Sequence, residues 1–168
     1  MDAEIRPASL DDLDGVADIW NRIIRDTTIT FTTEEKTVDG LSAWLETARM
    51  EGRDMLVAAR GGEVLGFANW FQFRGGPGYA DTMELTIHLA EHARGKGIGR
   101  RLVEALAAKA ARAGVHSLWA GCGGENPGAV AFHERCGFER IATLPEVGRK
   151  FGRRHDLVLL RRLLDTSR

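Results

Sequence analysis

A glycine-rich basic turn carries the clearest chemical signal in the sequence. Residues 94–101 read Arg-Gly-Lys-Gly-Ile-Gly-Arg-Arg, between a predicted strand and a predicted helix. Alternate glycines let backbone N–H groups approach an anion closely, while the helix start and the nearby cations supply positive charge. The turn therefore predicts a pyrophosphate-binding site. The alternative is a basic surface turn that only begins a helix.

Two familiar phosphate-binding motifs differ from this turn. A Walker A loop has Ser or Thr after its lysine to bind magnesium, whereas Gly97 follows Lys96 here. A dinucleotide-binding fingerprint would have its third glycine at the position of Arg100, and its preceding strand would be almost wholly apolar. The predicted phosphate site is therefore of another kind.

Glu84 is a candidate general base. Residues 83–89 alternate between apolar and polar types, which predicts a half-buried strand with Glu84, Thr86 and His88 on one face. Partial burial raises the pKa of a carboxyl group, and a raised pKa suits a base that works near neutral pH. The alternative is a glutamate that faces solvent.

Metal binding and thiol chemistry have little support. His133, Glu134 and Cys136 lie close in sequence and could form a cluster with Cys122, but no Cys-x-x-Cys pair completes a metal site. Neither cysteine stands in a recognisable nucleophile motif. We therefore expect no metal and two reduced thiols.

The composition indicates one globular domain. The 168 residues are 43% hydrophobic and 28% charged, which is enough apolar material for a core. The formal charge of −1 gives no global attraction to nucleic acid or anionic lipid. No apolar run approaches the roughly 20 residues of a membrane span, and the first residues lack a signal-like apolar stretch. We expect a single domain over residues 1–168, a cytoplasmic location, and neither nucleic acid nor membrane as a partner.

Hydrophobic periodicity predicts the elements that position these residues. An early helix is predicted to bury a face formed by Leu10, Leu13, Val16, Ala17 and Trp20. Residues 26–33 predict an ordered loop of the kind that lines pockets. The remaining elements are strands over 5–7, 55–59, 64–73, 83–89, 115–120, 138–144 and 156–160, and helices over 38–50, 102–110 and 126–135. This order predicts one mixed α/β (α+β) domain.

The combination resembles the GNAT superfamily of acetyl-CoA-dependent N-acetyltransferases. Residues 94–99 match its Arg/Gln-x-x-Gly-x-Gly/Ala signature, after the strand at 85–89 and before the helix that Asn126 opens. Within the superfamily the chain is similar to the phosphinothricin and methionine sulfoximine acetyltransferases, most specifically over residues 144–153. The resemblance implies a mostly antiparallel central sheet flanked by helices, acetyl-CoA as the acetyl donor, and a homodimer.

The resemblance also implies roles for individual residues. Glu84 matches the proposed base, and His133 stands where many members carry a tyrosine thought to protonate the departing thiolate, so His133 is either an acid or a pocket wall. Arg74 matches a position associated with the substrate's carboxylate, next to Gly75 and Gly76 on the substrate side. Contacts with acetyl-CoA are implied for the strand residues Ile87, His88 and Leu89, for the turn residues Arg94, Gly95, Lys96, Gly97, Ile98, Gly99 and Arg100, and for Asn126.

Four departures, one of them a pair of residues, separate the chain from the pattern of these acetyltransferases. Phe31, a substrate-side residue, replaces a tryptophan; the pair at 75–76 replaces a Pro-aromatic pair; His88 replaces a tyrosine; and Ala129 replaces a serine. Because most of these positions are on the substrate side, the acceptor can differ while the cofactor chemistry stays. His88 has two interpretations: a second titrating group beside Glu84, or a ring that fills the space of the tyrosine.

The sequence therefore predicts an acetyl-CoA-dependent N-acetyltransferase that acts on the α-amine of a small amino acid or analogue, such as phosphinothricin, methionine sulfoximine or methionine sulfone. Direct transfer is expected, because the sequence offers no nucleophile for a covalent intermediate. One alternative is another amine acceptor: a protein N-terminus, a polyamine or an aminoglycoside. The other is a non-catalytic sensor that binds acetyl-CoA.

Overall fold

A seven-stranded sheet forms the centre of the computed structural model, which describes residues 2–164. Met1 and residues 165–168, the ends of the predicted domain, lie outside the described residues. The strands are β1 (Glu4–Pro7), β2 (Met55–Arg60), β3 (Glu63–Gln72), β4 (Thr82–Leu89), β5 (Ser117–Gly123), β6 (Glu139–Lys150) and β7 (Arg153–Leu163). Their order is β1-β2-β3-β4-β5-β7-β6, and neighbours are antiparallel except β4 and β5. The predicted mixed, mostly antiparallel sheet is confirmed.

Helices cover both faces of this sheet: α1 (Leu13–Asp26), α2 (Val38–Met50), α3 (Ile98–Arg112) and α4 (Pro127–Arg135). Strand β2 contributes to two cores, because side chains alternate between the faces of a strand. Leu56 and Ala58 join the core that contains α3, whereas Met55 and Val57 join the core that contains α1 and α2. The fold is thus one mixed α/β domain. Across residues 2–164, we find no helix with the length and apolar character to cross a membrane.

Leu10 is an exception to the predicted core. Its spacing predicts a place on the buried face of the first helix, but residues 10–12 form a 3-10 turn before α1, and Leu10 is 65% exposed. A 3-10 turn has three residues per turn, so the 3.6-residue spacing does not continue through it. Asp12 is the buried residue here, because its carboxylate accepts hydrogen bonds from the Ser9 N–H (2.7 Å) and from both terminal nitrogens of Arg6 (2.7 and 2.9 Å).

The closing hairpin is longer than the sequence predicts. The expected strands at 138–144 and 156–160 extend towards each other and are joined by a two-residue turn at Phe151 and Gly152. Both turn residues have positive φ, 51° and 76°, as the favoured two-residue hairpin turns require. Glycine is typical of such a turn and phenylalanine is not, so the pair gives only a weak turn signal in the sequence.

Candidate active site

Strands β4 and β5 separate partway along their length. They pair in parallel only where residues 82–84 meet residues 117–119, although β4 continues to Leu89 and β5 to Gly123. Beyond Glu84, no strand within residues 2–164 pairs with that edge of β4. The free edge borders an open groove.

The register of β3 and β4 decides which backbone groups face this groove. Ala90 donates its N–H to the Leu65 carbonyl (2.9 Å), so the even-numbered residues of β4 hydrogen bond to β3. Because the direction of these bonds alternates along an antiparallel pair, the N–H and C=O groups of Ile87 and Leu89 point towards the groove. An extended ligand with its own amides can hydrogen bond there. His88 contributes its side chain instead.

The groove has a volume of about 680 Å³ and reaches the basic turn. Gly95 and Gly97 have φ of +74° and +76°, a conformation that glycine adopts without strain, and they leave the backbone uncovered at the start of α3. Arg94 and Arg100 also line the groove. The helix start and the two guanidinium groups together favour a bound anion.

The other residues of the turn have different surroundings. Lys96 is exposed and does not line the groove, whereas Ile98 is buried in the core. Gly99 lines the groove where α3 approaches α4, and a Cβ at this position would lie 3.2 Å from the Phe132 ring. Glycine at this position therefore permits the close packing that shapes the groove.

A smaller pocket of about 230 Å³ adjoins the groove. The predicted loop at residues 26–33 lines it through Ile29, Thr30 and Thr32. The two cavities share Ile29, Ile87, His88, Asn126, Ala129 and His133. A ligand in the groove and a second molecule in the pocket would therefore meet at these residues.

The Glu84 carboxyl group lies in the wall of this pocket. It faces the backbone of β5, since a Cβ at Gly121 would be 3.1 Å from Glu84 Oε1. Burial raises the pKa of Glu84 above its usual range, because apolar surroundings disfavour the charged form. No cation or hydrogen-bond donor within residues 2–164 opposes that effect. Glu84 therefore binds a proton more readily than a solvent-facing glutamate.

The His88 ring fills space rather than carrying charge. Its centroid lies 6.0 Å from the Trp20 ring and 5.6 Å from the Phe67 ring. Burial, assisted by the positive charge of Arg94, lowers the pKa of His88 to about 4, so the ring is neutral near pH 7. This favours the interpretation in which His88 takes the space of a tyrosine.

His133 lies where the pocket meets the groove. Its Nδ1 lies 2.9 Å from the Ala129 carbonyl oxygen and 3.5 Å from Cys122 Sγ, and its Nε2 has no partner among the described residues. Because a carbonyl only accepts, Nδ1 carries the hydrogen and Nε2 is an acceptor in the neutral ring. Burial lowers the pKa of His133. A neutral ring cannot donate a proton from Nε2, so the geometry favours a pocket wall over an acid.

Asn126 connects the pocket and the groove through the start of α4. Its Oδ1 accepts a hydrogen bond from the Ala129 N–H (3.1 Å), and Pro127 is the first residue of the helix. Both features are typical of a helix N-terminus. Asn126 lines both cavities, and the resemblance implies that it contacts acetyl-CoA.

Arg74, Gly75 and Gly76 lie outside both cavities. They are exposed in the loop that follows β3. Within residues 2–164, the Arg74 carbonyl accepts a hydrogen bond from the Gln72 amide (2.6 Å), but the Arg74 guanidinium has no partner. The structure therefore does not bring this predicted carboxylate ligand into the pocket with Glu84.

Phe31, the remaining predicted substrate residue, also does not line the pocket. Its ring stacks on His155 with centroids 5.4 Å apart and packs against Gly148. Its neighbours Thr30 and Thr32 line the pocket instead. Because the loop has no regular secondary structure, the sequence gives no periodicity from which to predict these directions.

Sequence reasoning missed several walls of the pocket. The alternating pattern places Thr86 on the same face of β4 as Glu84 but assigns it no role, and Thr86 lines the pocket as well. Gly121 and Cys122 line the pocket from the end of β5, and no sequence signal places them there until the pairing with β4 is known. Trp20 belongs to the predicted apolar face of the first helix, but it lies at the border between core and pocket.

Comparison with known proteins identifies the family of this chain. The model of the acetyltransferase (GNAT) family matches residues 16–138. The chain belongs to this family. An L-methionine sulfoximine/L-methionine sulfone acetyltransferase of Pseudomonas aeruginosa is 35% identical over 169 aligned residues, covering 100% of this chain and 98% of the relative.

Two solved structures extend the comparison. A GNAT superfamily phosphinothricin acetyltransferase of Sinorhizobium meliloti, in complex with acetyl-CoA, has a TM-score of 0.91 and 29% identity, covering 98% of this chain and 89% of that one. A ribosomal-protein-alanine N-acetyltransferase of Brucella melitensis has a TM-score of 0.92 and 36% identity, covering 96% and 99%. The likeness therefore extends over nearly the whole chain.

The protein is an acetyl-CoA-dependent N-acetyltransferase, and its groove fits that co-substrate. The free backbone groups of Ile87 and Leu89 suit the amides of pantetheine, and the anion site at the start of α3 suits a pyrophosphate. The basic turn lines the groove but not the pocket, whereas Asn126 and His133 line both cavities.

Proposed function

We propose that the protein acetylates the α-amine of a small amino acid analogue, such as methionine sulfoximine, methionine sulfone or phosphinothricin, by direct transfer with Glu84 as the general base. The observation that carries this proposal is the buried Glu84 carboxyl group in a small pocket that opens into the groove for acetyl-CoA. The name of the Pseudomonas aeruginosa relative, at 35% identity, supports the choice of acceptor.

The size and charge of the pocket also support a small acceptor. Its volume is about 230 Å³, and Glu84 is the only acidic residue among its described lining residues. A polyamine or an aminoglycoside carries several positive charges, which favour several carboxylates in a binding site. One carboxylate suits an acceptor with a single amino group.

The proposed base acts on the ammonium form of the acceptor. Bound acetyl-CoA supplies the acetyl group as a thioester. The Glu84 carboxylate takes a proton from the ammonium group, directly or through one water, and leaves a neutral amine whose lone pair can attack the thioester carbon. The bond from carbon to nitrogen forms and the bond from carbon to sulfur breaks. The nitrogen loses its second proton as the amide forms, and the departing thiolate gains one proton, so CoA leaves as the thiol.

His133 serves this reaction as a pocket wall in our proposal. Its Nδ1 hydrogen bonds to the Ala129 carbonyl one turn earlier in the same helix, α4, which fixes the orientation of the ring. Its buried Nε2 faces no partner within residues 2–164 and is able to accept a hydrogen bond. The ring therefore shapes the junction between pocket and groove without supplying the proton for the thiolate.

Arg74 is retained in the proposal as the ligand of the acceptor's carboxylate. Phe71, three residues earlier in the chain and on β3, lines the pocket, and Arg74 lies in the loop that follows this strand. The Arg74 guanidinium is exposed and has no partner among the described residues. Such a free planar group is suited to bidentate recognition of a carboxylate.

The proposal includes a homodimer in the cytoplasm. Strand β6 is at the edge of the sheet and exposes the apolar side chains of Ile141 (42%), Leu144 (36%) and Val147 (57%). Exposed apolar groups on an edge strand are typical of an interface. Cys122 and Cys136 are both buried free thiols, which suits a reducing compartment.

A protein N-terminus is the second candidate acceptor. The specific observation in its favour is the name of the Brucella melitensis structure, a ribosomal-protein-alanine N-acetyltransferase with 36% identity. A peptide would have to leave the small pocket by its open side. The acceptor panel below separates the two candidates.

Release of free CoA tests the proposed function. Purified protein is incubated with acetyl-CoA and, separately, methionine sulfone, methionine sulfoximine, phosphinothricin, an alanine-starting peptide and spermidine. We expect turnover with the amino acid analogues alone. Turnover with the peptide or spermidine alone would replace the acceptor assignment, and no release with any of the five amines would refute it. Ping-pong kinetics would contradict direct transfer.

A further inference from the structure

The loop that closes the pocket has little backbone hydrogen bonding of its own. It runs from Thr27 to Thr37, between α1 and α2. Its two ends are tied to the helices: the Thr27 N–H and hydroxyl both donate to the Ile23 carbonyl, and the Asn21 side chain bonds the backbone of Lys36. The pocket-lining residues lie between these ties, so something else must hold the middle of the loop.

Two contacts from the β6–β7 hairpin hold the middle of the loop. Lys150, which is only 2% exposed, donates from Nζ to the Thr30 carbonyl (2.8 Å). The Phe31 ring packs on the backbone of Gly148 so closely that a Cβ there would overlap it. Phe31 also stacks on the buried His155 ring, 5.4 Å away and tilted by only 20°.

We infer that Phe31, Gly148, Lys150 and His155, here called the anchor cluster, are positioning residues for the acceptor. They hold the loop so that Ile29, Thr30 and Thr32 form a wall of the pocket, although none of the four lines it. The inference rests on the proposed function in one respect, because it takes the smaller pocket as the acceptor site.

The chemistry of Lys150 supports a positioning role. A buried ammonium group is unfavourable unless it is hydrogen bonded, and burial lowers the pKa of Lys150. Among the described residues, no carboxylate pairs with it, and its hydrogen-bond acceptor is the Thr30 carbonyl. The Lys150 ammonium group therefore stabilises the backbone of the loop and not an ion pair within the hairpin.

Gly148 gives the sharpest test, because its substitution acts through Phe31. The φ of Gly148 is not positive, so alanine fits the backbone, and the three atoms nearest to its added Cβ all belong to the Phe31 ring. We expect Gly148→Ala to raise the Michaelis constant for the amino acid acceptor at least about fivefold, and to change that for acetyl-CoA by less than about twofold. In a Phe31→Ala background the ring is absent, so Gly148→Ala should change the Michaelis constant for the acceptor by less than about twofold.

A second variant examines the hydrogen bond. Lys150→Met keeps an unbranched apolar side chain, one atom shorter, and removes the donor. The Michaelis constant for the acceptor should therefore rise, while that for acetyl-CoA should not change. The matched control is Arg149→Met, which removes a charge from the neighbouring, exposed position. The control should leave both constants unchanged.

Limited cleavage by chymotrypsin after Phe31 gives a measurement without substrates. The ring is packed in the wild type, so we expect faster cleavage at this bond in Gly148→Ala and Lys150→Met but not in Arg149→Met. Equal rises in both Michaelis constants, additive effects of Phe31→Ala and Gly148→Ala, or unchanged cleavage would overturn the inference. If the wild type acetylates no amino acid analogue, the proposed function fails, while the cleavage rates still decide whether the anchor cluster holds the loop.

Discussion

Replacing Glu84 with glutamine removes the proposed base and leaves the shape of the pocket. Glutamine has the same length, and the Glu84 Oε1 position beside Gly121 can hold an amide oxygen or nitrogen. General bases contribute roughly 10²- to 10⁴-fold to a rate, which corresponds to about 3–5 kcal/mol of activation free energy. We expect a loss of turnover in that range near neutral pH.

The pH dependence of kcat/KM should show whether Glu84 is the base. Burial raises the pKa of Glu84, so wild-type kcat/KM should fall as the pH drops through this raised value and the carboxylate is protonated. Below it, the wild type and Glu84→Gln should approach each other, since neither has a base. At high pH they should converge again, because the acceptor amine is then already neutral.

The assay is release of free CoA at saturating acetyl-CoA, with methionine sulfone as the acceptor, across the range of pH. Acetyl-CoA affinity, measured by titration without acceptor, should change little, because Glu84 does not line the groove. Glu91→Gln, at an exposed position outside both cavities, is the matched control. Equal rates of wild type and Glu84→Gln at every pH would refute the assignment of Glu84 as the base.

Three further predictions use the same protein. Arg74→Ala should raise the Michaelis constant for amino acid acceptors about tenfold, and an equal rise for amines without a carboxylate, in the same CoA-release assay, would make Arg74 structural. His133→Phe should keep most of kcat if the ring is a wall, whereas a loss of about 100-fold or more would indicate an acid. Asp12→Asn should lower the free energy of unfolding at pH 7 by about 2 kcal/mol, because the Arg6 hydrogen bonds lower the Asp12 pKa from 3.8 to about 2. The stabilising effect of the Asp12 carboxylate is complete above pH 3.8 and is lost as the pH falls towards 2. Urea unfolding of the wild type and Asp12→Asn should therefore give a difference in unfolding free energy that is about 1 kcal/mol smaller at pH 3 than at pH 7. The same difference at pH 3 and pH 7 would contradict this prediction.

The sequence predicts the fold well where one periodicity runs through a whole element. The helix at 38–50 and the half-buried strand around Glu84 follow from the 3.6- and 2-residue repeats. The pattern fails where the backbone changes type. Leu10 keeps helical spacing through a 3-10 turn, and the Phe151–Gly152 turn adopts positive φ with a residue that rarely does so.

The candidate site could be predicted only in part for a related reason. The basic turn and Glu84 carry their chemistry in residue type and local spacing, and the structure places both on connected cavities. The walls of the pocket depend on where β4 and β5 stop pairing, which is a long-range property. Local periodicity contains no information on that point, so Gly121 and Cys122 were not identified.

The run at residues 144–153 shows how sequence similarity and site geometry can differ. This stretch carries the most specific resemblance to the amino acid analogue acetyltransferases, yet none of its residues lines either cavity. Gly148 and Lys150 nevertheless contact the loop that lines the pocket. A stretch of this kind can influence acceptor choice only by placing other residues, which is why its substitutions should alter the acceptor's Michaelis constant before they alter that of acetyl-CoA.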